Sequence, residues 1–101
     1  MFSNKRYLTK GIAEELPLEL QIYIWGMIDK VKKDIKLDYL QVFKLEAVKR
    51  EGVLVQQITH TQEIPYYKNS VVVRIETPIN NRKIFCIDDI SHSTMLFSEE
   101  Y

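Results

Sequence analysis

A chain of 101 residues fits one domain and leaves no room for a second. Its 14 basic residues balance 14 acidic ones, and zero net charge disfavours a nucleic-acid partner, whose binding draws on counterions displaced by Lys and Arg. The single cysteine, Cys86, excludes an internal disulfide, and the longest apolar stretch, Leu16 to Ile28, is broken by Glu19, Gln21 and Gly26, short of the ~20 apolar residues of a membrane span.

Phe2 is followed by Ser3, Asn4, Lys5 and Arg6 rather than by an apolar run, so no secretory leader is expected and the domain reads as soluble and cytoplasmic. Lys5 to Ile12 reads as a strand of open facing, in which Gly11 suits a bulge or a close backbone approach. Glu14, Glu15 and Pro17 announce a helix, because proline is tolerated in a first turn and carboxylates favour the positive end of the helix dipole. The helix is predicted to run to about Asp34. Lys30, Lys32 and Lys33 fall in its last turns, where cations are favoured, which explains that basic cluster without a phosphate ligand. Leu20, Tyr23, Ile24, Met27, Ile28, Val31 and Ile35 share one stripe at ~100° per residue and are the predicted buried face. Leu18, Ile22 and Trp25 also repeat at helical spacing, on nearly the opposite face, where a helix lying on a sheet needs no apolar residues.

From Leu37 the period changes to two. Tyr39, Gln41, Phe43, Leu45 and Ala47 alternate with Leu40, Val42, Lys44, Glu46 and Val48. A turn is expected at Lys49 to Gly52, a polar strand over Val53 to Glu63, a turn over Ile64 to Asn69, and a β-branched strand over Val71 to Glu76. Thr77 to Asn81 makes another turn, and Lys83 to Ile87 the last strand. Ser91 to Tyr101 reads as the start of a short helix capped by Ser91 or Ser93. The order β-α-β-β-β-β predicts an α+β domain: a mostly antiparallel sheet of about five strands, one long helix on one face, and a short C-terminal helical turn. Five strands span ~19 Å and one helix only ~10–12 Å, so the tail or another chain must cover the remainder.

Three stretches carry a family resemblance. They are Asn4-Lys5-Arg6-Tyr7 through Gly11-Ile12-Ala13-Glu14-Glu15 and Pro17-Leu18-Glu19-Leu20-Gln21; Leu37-Asp38-Tyr39-Leu40-Gln41-Val42-Phe43; and Ile87-Asp88-Asp89 with His92-Ser93-Thr94-Met95-Leu96 and Glu100-Tyr101. In this order they resemble the small Firmicutes proteins of domain-of-unknown-function family 960. The resemblance spans nearly the whole chain and implies a bacterial or phage cytoplasmic protein. It brings no catalytic residues, so candidate sites rest on the residues themselves.

The densest group of reactive side chains is Cys86, Asp88, Asp89, Ser91, His92, Ser93 and Thr94. Cys86 with His92 and an aspartate would supply a nucleophile, a base and an orienting group, but Cys86 lies between Phe85 and Ile87, where a thiol is most simply a small buried hydrophobe. Asp88, Asp89, His60 and His92 could offer metal ligands, yet no His-Glu-x-x-His or Cys-x-x-Cys spacing is present, so no metal and no cofactor is assigned. The favoured reading is structural: Asp88 and Asp89 accept backbone N–H groups of residues 91 to 94, His92 closes the turn, and Met95 to Phe97 fold over the sheet. His60 is expected to face solvent. Tyr66, Tyr67 and Lys68 form the best aromatic and basic group, in a loop, where packing beneath the loop is the simpler reading. What remains is Leu18, Ile22 and Trp25. Tryptophan is enriched at binding hot spots and contiguous exposed apolar side chains mark partners, so these three are the candidate contact for an unidentified protein or a second copy in a homodimer. The expected function is a non-enzymatic interaction module; the alternative is a small enzyme or metal-dependent protein built on Asp88, Asp89 and His92.

Overall fold

The computed structural model describes all 101 residues. Strand β1 is Lys5–Leu8, followed by helices α1 (Lys10–Glu15) and α2 (Leu18–Lys32), then strands β2 (Leu40–Arg50), β3 (Val53–Gln62), β4 (Tyr67–Val73), β5 (Arg82–Asp88) and β6 (His92–Phe97), and a 3₁₀ turn at Ser98–Glu100. The six strands form one sheet in the order β1-β6-β5-β2-β3-β4. All neighbours are antiparallel except β1 and β6. The α+β class and the long helix on one face are as the periodicity predicts.

The longest strands pair through a two-residue turn, Glu51-Gly52, with both φ angles positive, the conformation whose twist suits a hairpin. Phe43 on β2 stands opposite His60 on β3 and Ile84 on β5, and Leu45 opposite Ile58. These residues and Cys86, Met95 and Phe97 make the inner face of the sheet. Ile12 and Leu16 near α1, and Leu20, Ile24, Ile28 and Val31 on α2, bury against them in one cluster. Burying a Leu or Ile side chain contributes roughly 1.5–3 kcal/mol, so this contact is the main stabilising layer.

Four local expectations are corrected. Residues 9 to 12 are not strand: Thr9 is an N-cap that accepts the Ile12 N–H, and α1 starts at Lys10. Glu14 and Glu15 therefore end α1 instead of beginning α2. Pro17 holds Leu16 extended (φ −102°, ψ 119°), which separates the two helices. The tail from His92 is a sixth strand rather than a helix, because Thr94 and Met95 are β1's partners on one side and lie opposite Ile87 and Cys86 on the other. Tyr67 to Asn69 belong to β4, not to a turn.

The connection from β4 to β5 crosses the end of the sheet and is held by Gln56. Its amide accepts the Ile79 N–H at 2.7 Å and donates to the Ile79 carbonyl at 2.9 Å, as a strand partner would. At the other end, the Asp88 carboxylate accepts the Phe2 N–H and the Asn4 amide. This pins Phe2 into the core at 1 % exposure.

Candidate functional site

Six strands spaced ~4.8 Å apart span about 24 Å, twice the width of a helix. Helix α2 covers the inner face incompletely and leaves the inward residues of β4, Tyr67, Val71 and Val73, half-buried. The result is a groove of about 760 Å³ between α2 and β4. Ile22, Tyr23, Met27 and Ile35 form one wall and Tyr67, Val71 and Val73 the other. Tyr23, Met27 and Ile35, predicted on the buried face with Ile24 and Val31, sit on the flank of the stripe and face this groove; Tyr23 is 46 % exposed. Periodicity places residues on a face but does not say how wide the covering layer is.

Gly26 lines the same groove. A glycine inside a helix costs roughly 0.5–1 kcal/mol relative to alanine, and crowding is the usual structural reason to keep one. Here a Cβ would meet nothing within 4 Å. Steric need therefore does not explain the residue. The polar residues at the rim are Glu19, Lys30, Asp34 and Asn69. The Lys30 ammonium makes no ion pair with any carboxylate of the chain.

The predicted contact residues divide. Leu18 and Ile22 are 68 % and 63 % exposed, and Ile22 forms the upper lip of the groove. Trp25 lies on the opposite flank of α2, half-buried, with the Arg6 guanidinium 4.7 Å above its ring. Asp29 pairs with that guanidinium, so strand β1 covers the indole.

Asp88, Asp89 and His92 come together at the β5–β6 turn. Asp89 accepts the His92 N–H at 3.1 Å and the Ser91 hydroxyl at 3.0 Å, and its other oxygen lies 3.2 Å from His92 Nε2. Asp88 accepts the Ile90 N–H at 2.7 Å. Burial works to raise the Asp88 carboxyl, but the N–H groups of Phe2 and Ile90, the Asn4 amide and the N-terminal ammonium outweigh it and hold the group below the usual carboxylate range. Both carboxylates are thus engaged in shaping the turn. Cys86 is fully buried, and burial pushes its thiol far above the usual range. Nowhere do three His, Cys, Asp or Glu side chains converge as a metal site would require.

His60, expected in solvent, is completely buried. It stacks on Phe43 with centroids 4.2 Å apart and meets Tyr67 edge-on at 5.3 Å. The Gln41 amide nitrogen donates to Asp38 O at 2.8 Å and to Gln62 Oε1 at 2.7 Å. Its oxygen therefore accepts from His60 Nε2 at 2.6 Å, which leaves His60 Nδ1 buried without a partner. Gln62 continues the chain to the Lys36 and Pro65 carbonyls. Strand parity was the available signal, since Gln41 and His60 are each two residues from a core side chain, Phe43 and Ile58.

The fold and its groove define a small α+β domain with a sheet edge open beside an apolar cleft. The chain belongs to the family described as "Staphylococcal protein of unknown function (DUF960)", whose model matches residues 5–100. It is similar to the crystal structure of a protein of unknown function from Enterococcus faecalis, with a TM-score of 0.80 and 26 % identity over 97 % of this chain and 91 % of that one. No curated protein matches the chain. No helix is long and apolar enough to cross a membrane.

Proposed function

We propose that this domain is a protein-interaction module in which the α2–β4 groove receives an extended apolar segment of a partner protein, added as a strand to β4. The supporting observation is the combination of an apolar cleft with an unpaired sheet edge. β4 ends the sheet, so one side of its backbone has no strand partner. Strand addition at such an edge gives affinity through main-chain hydrogen bonds, while alternate side chains enter the neighbouring cleft and give specificity. Tyr67, Val71 and Val73 on the strand and Ile22, Tyr23 and Met27 on the helix form the cleft for those side chains. Lys30 on the wall favours a segment with a carboxylate at that end.

The test is selection of random peptides on the immobilised protein, with the Gly26→Leu variant as counter-target. A leucine there projects into the cleft, and its Cβ meets no atom within 4 Å. Peptides with alternating apolar residues that bind the wild type and lose tenfold or more on the variant support the reading. Peptides that bind both proteins equally, or no enrichment, contradict it. Sedimentation at ~100 μM adds the remaining occupant: a wild-type dimer that Gly26→Leu converts to monomer would give the groove to a second copy and overturn the peptide reading.

A further inference from the structure

The face of the sheet turned away from both helices carries a different surface. Lys44 on β2 stands directly opposite Lys83 on β5. Both are exposed, and neither is paired with a carboxylate. Like charges directly opposite each other in an antiparallel pair are destabilising, so this pair costs the fold something unless an anion sits over it. The same row continues across β3 and β4 as Thr59 and Ser70, whose hydroxyls are 2.9 Å apart. Two residues along β5 from Lys83, on the same face, Phe85 meets Tyr101 edge-on at 5.8 Å, and Tyr101 is 80 % exposed. Aromatic rings beside ammonium groups on an open sheet are the elements with which proteins hold single-stranded nucleic acid: the lysines take phosphates and the rings stack bases. A duplex keeps its bases stacked on one another and would leave the rings unused. A second copy stacked face to face would bring two lysine pairs into one interface, which disfavours self-association through this face.

We propose that the helix-free face of the sheet binds single-stranded nucleic acid, with Lys44 and Lys83 on the phosphates and Tyr101 and Phe85 as the stacking platform. This surface is separate from the α2–β4 groove and stands or falls independently of it. The zero net charge of the chain is an average over both faces, whereas this site draws on local charge; its acidic neighbours are Glu46 on β2 and Glu99 and Glu100, which precede Tyr101.

Fluorescence anisotropy with labelled oligothymidine and oligouridine of about 12 nucleotides at low salt reads this binding. The DNA and RNA arms separate the two forms of the strand, since only one offers 2′-hydroxyls. The expected result is saturable binding of at least one, weakened tenfold or more by Lys44→Gln with Lys83→Gln. The double variant should also reduce the slope of log K against log salt by about 1.4, at ~0.7 per phosphate contact. Glu46→Gln should tighten binding, and Tyr101→Leu should weaken it by about fivefold or more. Lys33→Gln with Lys36→Gln, exposed residues just past the end of α2 and outside the groove, should leave it unchanged. No binding to either oligonucleotide, binding indifferent to the Lys44 and Lys83 changes, or binding lost in the Lys33 and Lys36 variant would overturn the proposal. All the variants but the half-buried Glu46→Gln change solvent-exposed residues, and thermal melts confirm that the fold is kept.

Discussion

His60 offers the sharpest physical test of the core. Its ring is buried, donates from Nε2 to Gln41, and presents Nδ1 to no acceptor. Protonation of Nδ1 would place a charge between Phe43 and Tyr67 with nothing to receive the proton's hydrogen bond. Burial accordingly lowers the His60 pKa from 6.5 to about 4. The unfolded chain takes up this proton near pH 6.5. The folded protein refuses it until about pH 4. Stability is therefore intact above pH 6.5, falls as pH drops from 6.5 towards 4, and levels off once both states are protonated. At 1.36 kcal/mol per pH unit the full loss is about 3 kcal/mol, of which roughly 2–3 kcal/mol falls between pH 7 and 4.5. Urea unfolding across this range, for wild type and His60→Phe, isolates the effect, because other groups titrate equally in both proteins. Phenylalanine keeps the stack on Phe43 and leaves the Gln41 oxygen without its donor, a cost of about 1–3 kcal/mol at pH 7. It should nevertheless lose less stability on acidification than wild type, by roughly 2–3 kcal/mol. Parallel pH curves for the two proteins would refute the assignment of His60 as a neutral buried group.

Further outcomes follow from single side chains. Gly26→Ala should stabilise the domain by about 0.5–1 kcal/mol, read by urea or thermal unfolding, because the new methyl meets open space and the unfolded chain loses freedom. Asp88→Ala should destabilise it by about 1–3 kcal/mol by leaving the Phe2 and Ile90 N–H groups without acceptors, and hydrogen exchange should report early opening of the N-terminus. The Asp88 carboxyl is held below its unfolded value, so its contribution is complete above about pH 4 and is lost as pH falls through the folded value. Cys86 should resist alkylation in the native protein and react only as fast as the domain unfolds, because its thiol is both inaccessible and held protonated.

Much of the fold was legible because the two periods are distinct. Ile24, Ile28 and Val31 are spaced as a buried helical stripe and are buried; Phe43 and Leu45 alternate as inward strand residues and point inward. The Asp89–His92 turn was legible from residue types alone. The errors share one cause, contacts with residues far along the chain. Nothing in Ser91 to Tyr101 announces a strand; His92–Phe97 becomes one between β5 and β1, and β1, some ninety residues earlier, supplies a parallel partner, as in Lys5 opposite His92. Thr9 and Gly11 look compatible with a strand, but Gly11 lies in α1, where a Cβ would come within 2.5 Å of Glu100 Oε2 at the other end of the chain and push that carboxylate aside. His60 carries a polar side chain at a core position, and only the arrangement of Gln41 and Gln62 around it makes that tolerable. The groove itself was half visible. Ile22 reads as an apolar residue without a covering layer, but its partner wall, Tyr67, Val71 and Val73, is defined only by where β4 falls in the strand order.

The central claim is that the open edge of β4, with the cleft beside it, is where this domain meets its partner. The most direct measurement is amide chemical-shift mapping of the isotopically labelled protein titrated with a peptide selected on the wild type. The account predicts the largest shifts at Tyr67 to Val73 and along Ile22 to Val31, with new protection of β4 amides from hydrogen exchange. Shifts centred instead on β1 or on the helix-free face around Lys44 and Phe85, with β4 unmoved, would contradict it.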